Sequence, residues 1–110
     1  MARKIIWSPT ALQDLTDISD YISRDSANYA AGVIEDILDA ADQLLIFPRM
    51  GRIVPEFERE DIREIIVHKY RVIYEIEGDA INIGSVVHGA RKLKKALKGR
   101  PPRRRGPRGH

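Results

Sequence analysis

Residues 70–88 read YRVIYEIEGDAINIGSVVH. Two β-prone runs, Tyr70 to Ile76 and Ala80 to His88, flank Glu77-Gly78-Asp79. Gly78-Asp79 suits a two-residue hairpin turn, whose primed geometry needs positive φ. In that register Tyr70, Val72, Tyr74 and Ile76 oppose Val87, Ser85, Ile83 and Ile81, an almost wholly apolar face. Arg71, Ile73 and Glu75 oppose Val86, Gly84 and Asn82 on the other face, with His88 just beyond. A slip of one residue turns every side chain to the opposite face, so the agreement of the two patterns supports the register. It makes Arg71 and His88 diagonal neighbours, within reach of one ligand.

Working outward, Ile62 to Val67 is a third β-rich run, joined to the hairpin through His68-Lys69; the geometry of that turn and the face taken by Arg63 stay open. The preceding segment, Arg49 to Glu60, carries Gly, Pro and many charges and reads as a loop. Upstream, Ser26 caps a helix whose stripe is Ala30, Ile34, Ile37, Ala41 and Leu44, and Pro48 stops it. A second capping signal, Ser8 followed by Pro9, opens a helix over about 9–24 with Ala11, Leu15, Ile18 and Ile22 on one face. Only Arg24-Asp25 separates the helices, which implies an antiparallel hairpin. Lys4 to Trp7 reads as a strand. The order β-α-α-β-β-β predicts an α+β fold, a helical hairpin on one face of a small, mostly antiparallel sheet. After Gly89, Leu93 and Leu97 at spacing four suggest a short helix to about Lys98. The reading is one domain over 1–98 and a disordered basic Pro/Gly/Arg-rich tail over 99–110.

Charge is unevenly distributed. The formal net charge of +3 combines 9 Lys/Arg against 16 Asp/Glu in residues 1–90, a balance of −7, with 10 Lys/Arg and no acid in residues 91–110. The basic character therefore belongs to the C-terminal segment, and the body lacks the overall basic surface of a nucleic-acid-gripping domain. Zero cysteines exclude disulfides and thiolate metal sites. No apolar stretch approaches the ~20 residues of a membrane span, and the start does not resemble a signal peptide, so no membrane contact and a cytoplasmic location are expected. The three histidines are scattered, and no metal or cofactor is expected.

Several pieces of the chain resemble the RelE/ParE toxin superfamily. They are Trp7…Ala11-x-x-Asp14-Leu15-x-x-Ile18-x-x-Tyr21-Ile22, then Pro48-x-x-Gly51-Arg52, Val54-Pro55-Glu56, Ile62-Arg63-Glu64, Tyr70-Arg71-Val72-Ile73-Tyr74 and Val87-His88-x-x-Arg91-x-Leu93. The resemblance spans residues 3 to 97 and implies a growth-inhibiting toxin of a type II toxin–antitoxin system, held inactive by a cognate antitoxin protein. It also implies contact with operator DNA through the antitoxin complex. ParE-like members poison DNA gyrase, whereas RelE-like members cleave mRNA on the ribosome without a metal. The long first helix and the His88…Arg91-x-Leu93 ending are ParE-like, while Pro55-Glu56, Tyr70-Arg71 and His88 are similar to the cleaving branch. The expectation is a ParE-like gyrase inhibitor, because the acidic body suits ribosomal RNA poorly. The alternatives are a ribosome-dependent mRNA endoribonuclease and a non-toxic antitoxin-binding or co-repressor module.

Metal-free RNA cleavage needs a base for the 2′-hydroxyl, a cation for the phosphorane and an acid for the leaving oxygen. Glu56, Arg71 and His88 would supply them in that order if the nuclease reading holds; arginine suits the bidentate phosphate contact. Each has a plainer reading: Glu56 belongs to a solvated run with Glu58 and Glu60, Arg71 to a solvated strand position, and His88 to a hydrogen-bonded strand end. Target or antitoxin binding is expected through Arg52, Lys69, Arg71, Ile73, Val86 and Arg91, on the sheet face away from the helices and its rim.

Overall fold

The computed structural model describes residues 3–89. Strand β1 (Lys4–Trp7) leads into helix α1 (Pro9–Ser23), and helix α2 (Ala27–Gln43) returns antiparallel to it. Both helices start on the expected serines: Ser8 accepts from the Ala11 N–H, and Ser26 from the Tyr29 N–H. Then come β2 (Arg52–Ile53), β3 (Ile62–Val67), β4 (Tyr70–Glu77) and β5 (Ala80–His88). The sheet order is β1-β5-β4-β3-β2, antiparallel throughout except for the parallel β1–β5 pair. The α+β fold is the expected one, with one addition: the segment read as a loop contains β2, whose two residues pair with Arg63 and Glu64. The short helix after Gly89 and the tail lie outside the described residues, as does Arg91.

The main core lies between the helices and one face of the sheet, and is built from Ala11, Leu15, Val33, Ile37 and Leu44 against Ile65, Val72, Tyr74, Ile81, Ile83 and Val86. The β4–β5 turn is the two-residue turn foreseen, Glu77 pairing with Ala80 around Gly78 at φ +60°. The register expected beyond it holds only as far as Tyr74–Ile83. There a β-bulge intervenes, and Ile73 pairs with Ser85, Val72 with Val86, Arg71 with Val87 and Tyr70 with His88. Gly84 is the extra residue. Its insertion turns Val86 towards the helices and Val87 away from them, the reverse of the sequence expectation.

Ser8 holds this irregularity in place. Its backbone N–H donates to the Ile83 carbonyl, and its hydroxyl donates to the Gly84 carbonyl at 2.9 Å while serving as the α1 cap. β1 has run out at this point, since its last pair is Trp7–Ile83. From Ser85 onward the outer edge of β5 faces α1, and Asp14 there accepts the Val86 N–H at 2.9 Å. A helix side chain thus stands in for the missing neighbouring strand.

At the far side of the sheet, the Tyr74 hydroxyl donates to the Pro48 carbonyl at 2.6 Å and accepts from the Gly51 N–H at 3.1 Å. A Cβ on Gly51 would lie 2.6 Å from the Glu64 carbonyl oxygen and 2.7 Å from the Tyr74 hydroxyl, so the loop can lie this close only with glycine there. Arg63, whose face the sequence left open, is paired with Tyr74 and donates to the carbonyls of Arg49 and Gly51 in the same loop.

Two substitutions test these anchors by thermal or urea denaturation. Asp14→Ala orphans a buried N–H and should cost about 1–3 kcal/mol, whereas Asp17→Ala, one turn away and exposed, should stay within about 0.5 kcal/mol. Gly51→Ala should destabilise by about 1–3 kcal/mol through overpacking.

Candidate functional site

The sheet face away from the helices is not open. Val54 and Phe57, in the segment following β2, fold over Ile62, Ile73 and Val87 and make a second, smaller core. Glu64 projects into this layer from β3 with its side chain fully buried. Its Oε1 accepts from Arg71 Nε at 2.6 Å, and its Oε2 accepts from Arg52 Nε. The other side of the Arg71 guanidinium is taken by Glu56, which accepts from Nη2 at 3.0 Å and Nη1 at 3.2 Å. Arg71 is 7% exposed and sits between two carboxylates. Glu56 foremost, and Glu64 with it, raise its pKa above the ordinary arginine value against the opposing effect of burial. The four groups form a charge-balanced network of two arginines and two glutamates, which straps the 54–61 segment to the sheet.

Structure and expectation differ here in two ways. Glu56 and Arg71 do come together, as a direct bidentate pair. His88 does not join them: the bulge pairs it with Tyr70, with ring centroids 5.6 Å apart in an edge-on contact, so Arg71 and His88 lie on opposite faces. The diagonal pairing expected for one phosphate is therefore absent. The partner-binding face also needs correction, since Ile73 is 6% and Val86 3% exposed, one under the strap and the other in the main core. Neither can touch a partner without the fold opening. Arg52 and Lys69 are exposed, although Arg52 already holds Glu64. Tyr74, on the face read as apolar, packs in the main core.

Sequence reasoning passed over Glu64. The available signal was the length of the His68-Lys69 turn: Val67 pairs with Tyr70, and His68 takes φ +56°. That register sets Glu64 opposite Ile73 and diagonal to Arg71.

A separate cleft of about 630 Å³ opens on the helix side of the sheet, at the end where β5 finishes. Tyr21, Tyr29, Tyr70, His68 and His88 give it an aromatic lining, and among the described residues Asp14, Asp17 and Asp25 give it negative charge against Lys69. His68 Nε2 lies 2.7 Å from Asp36 Oδ2. Among the described residues no group of three His, Cys, Asp or Glu could hold a metal, and no helix is long and apolar enough to cross a membrane.

The network makes a graded prediction. Glu64→Gln leaves two arginines sharing a site that has lost its central charge, and should cost about 3–5 kcal/mol. The Glu56 side chain is 31% exposed, and its loss leaves Arg71 still bonded to Glu64. Glu56→Gln should therefore cost under about 1 kcal/mol. Denaturant midpoints with unchanged m-values would establish that order.

Residues 5–93 match the family model described as the ParE toxin of type II toxin–antitoxin systems. The chain is 32% identical over 88 residues to Toxin RelE2 of Caulobacter vibrioides, covering 80% of this chain and 97% of that protein. Similar solved structures include the chromosomal ParDE system of P. aeruginosa, with TM-score 0.66 and 20% identity over 79% of this chain and 96% of that one. E. coli RelE, as a mutant in the free state, gives 0.63 and 18% over 90% and 98%. The RelBE2 toxin–antitoxin complex of Mycobacterium tuberculosis gives 0.57 and 20% over 80% and 99%. At these identities the solved structures speak to the fold, and the family match to the lineage. The α-helical hairpin over a five-stranded sheet, the ordered motifs from Trp7 to Val87-His88 and the family match together show that this chain belongs to the RelE/ParE superfamily of type II toxin–antitoxin toxins.

Proposed function

We propose that the chain inhibits growth by binding a protein target, with DNA gyrase the expected one, and that a cognate antitoxin neutralises it. The observation that carries this reading is the separation of His88 from the Glu56–Arg71 pair by the thickness of the sheet. A cleaving site needs base, cation and acid around one phosphate. Here the cation is held between two carboxylates, and the histidine stands on the other face beside Tyr70. The charge of the body supports the same reading: residues 3–89 carry 9 Lys/Arg against 16 Asp/Glu, a balance of −7, which suits an RNA backbone poorly, and the chain's excess of cations lies in residues 91–110.

A second reading, ribosome-dependent mRNA cleavage, is favoured by the direct Glu56–Arg71 contact and by the 32% identity to a protein named RelE2. In that mechanism the phosphate displaces Glu56 from Arg71, and the freed carboxylate takes the 2′-hydroxyl proton. Contact with operator DNA belongs to the antitoxin-bound complex.

Induced expression should arrest bacterial growth, and co-expression of the antitoxin should restore it. In vitro, the purified chain should block gyrase supercoiling and leave mRNA intact in toeprinting on translating ribosomes. Cleavage at the A site that disappears in His88→Ala would overturn the gyrase reading. Tight antitoxin binding with no growth effect at high expression would identify a non-toxic binding module instead.

A further inference from the structure

The chain between α2 and β2 exposes large apolar side chains where a connecting segment is ordinarily polar: Ile46 is 63%, Phe47 58% and Met50 52% exposed. Pro48 and Arg49 are the central residues of a turn in which the Met50 N–H donates to the Phe47 carbonyl at 3.1 Å. Phe47 and Met50 therefore stand close together at its two ends. The backbone of this turn is bound back to the body of the protein. The Ile46 and Phe47 N–H groups donate to the Gln43 carbonyl at the end of α2. The Tyr74 hydroxyl of β4 takes the Pro48 carbonyl and the Gly51 N–H, and Arg63 of β3 takes the Arg49 and Gly51 carbonyls. None of the three exposed side chains belongs to either core, so the rigid mount is not there to pack them. It holds apolar anchors in place before a partner arrives, which spares the ordering cost of binding.

Charge gives the partner its character. Residues 43–55 contain Arg49 and Arg52 and no acid, within a body whose balance is −7. Arg49 meets Glu60 at 3.5 Å in an exposed pair, which costs little to exchange for a partner's carboxylate. We propose that Ile46, Phe47 and Met50, with Arg49 among them, are the surface that contacts the toxin's protein target, and that the target offers an apolar hollow bordered by carboxylates. The inference rests on the reading of the chain as a toxin directed at a protein, and supplies the contact surface that reading needs. It also replaces the surface expected from the sequence, whose Ile73 and Val86 are buried. RNA and anionic lipid would accept the two arginines but would meet an acidic body around them.

Three variants of the full chain separate the contributions. Phe47→Ser with Met50→Ser removes the anchors, Arg49→Glu reverses the charge, and Leu12→Ser removes a 52% exposed apolar side chain from α1 as the control. Each substituted side chain is exposed, so thermal midpoints should match the unsubstituted chain; should the double variant unfold, Phe47→Ala alone carries the same comparison. The double variant should lose growth arrest on induction and need about 30-fold more protein for half inhibition of gyrase supercoiling, the loss expected of hot-spot anchors. Arg49→Glu should raise that concentration about 5-fold at low salt, an effect that high salt removes. Leu12→Ser should behave as the unsubstituted chain. If the unsubstituted chain arrests growth without inhibiting gyrase, the gyrase reading fails and growth arrest alone judges the patch. Growth arrest retained by a folded double variant overturns the proposal, and antitoxin binding lost while arrest persists overturns it by assigning the patch to the antitoxin. Arrest that falls in Arg49→Glu but not in the double variant points to nucleic-acid phosphate, and co-sedimentation with anionic phospholipid vesicles points to a membrane; either result overturns it. No arrest by the unsubstituted chain overturns both this inference and the reading beneath it.

Discussion

The single inserted residue at Gly84 governs what the two faces of this sheet become. Before it, β5 runs between two strands; after it, β5 has β4 on one side and a helix on the other. The bulge sends Val86 into the main core and Val87 into the strapped face, and it fixes His88 beside Tyr70. Three bonds hold it: the Ser8 N–H and hydroxyl on the Ile83 and Gly84 carbonyls, and Asp14 on the Val86 N–H. One serine thus ends a strand, starts a helix and seats the bulge.

The face away from the helices shows how a small domain accommodates buried charge. Glu64 is fully enclosed, which would cost several kcal/mol if it were alone. Arg71 and Arg52 compensate it from two other strands, and Glu56 compensates the excess on Arg71. The network contributes little net stability by comparison with an apolar layer of the same shape. What it provides is register, since only one alignment of β2, β3, β4 and the 54–61 segment brings all four groups into contact. The Pro48-to-Gly51 stretch is held on Tyr74 nearby, so the long α2–β3 connection is pinned at both of its halves.

The fold was largely legible in the sequence because its signals are local. Ser8-Pro9 and Ser26 mark helix starts through bonds to residues three positions on, and Gly78-Asp79 marks the hairpin through its own turn geometry. The functional face was less legible because its determinants are not local. Nothing in the run Ile83-Gly84-Ser85-Val86 announces a bulge; it follows from Ser8 and Asp14, more than seventy positions away in sequence. The alternation of β5 is equally apolar in both registers, so periodicity could not choose between them. Glu64 was hidden for a related reason: its partners come from β2 and β4, and the His68-Lys69 turn that aligns them has no glycine to announce it.

The parallel pairing of β1 with β5 has a consequence for how the protein is made. Lys4 meets Ala80, and Trp7 meets Ile83, so β1 waits for β5 before it has a neighbour. Asp14 likewise finds its bond only when Val86 is present. At a synthesis rate of about 5–20 residues per second, the interval between those ends is roughly 4–15 s. During that time α1 and α2 can form as a hairpin, but the layer they cover does not yet exist. Completion of the sheet is thus tied to release of β5 rather than to gradual accretion along the chain, and no nascent fragment short of β5 holds the finished surface.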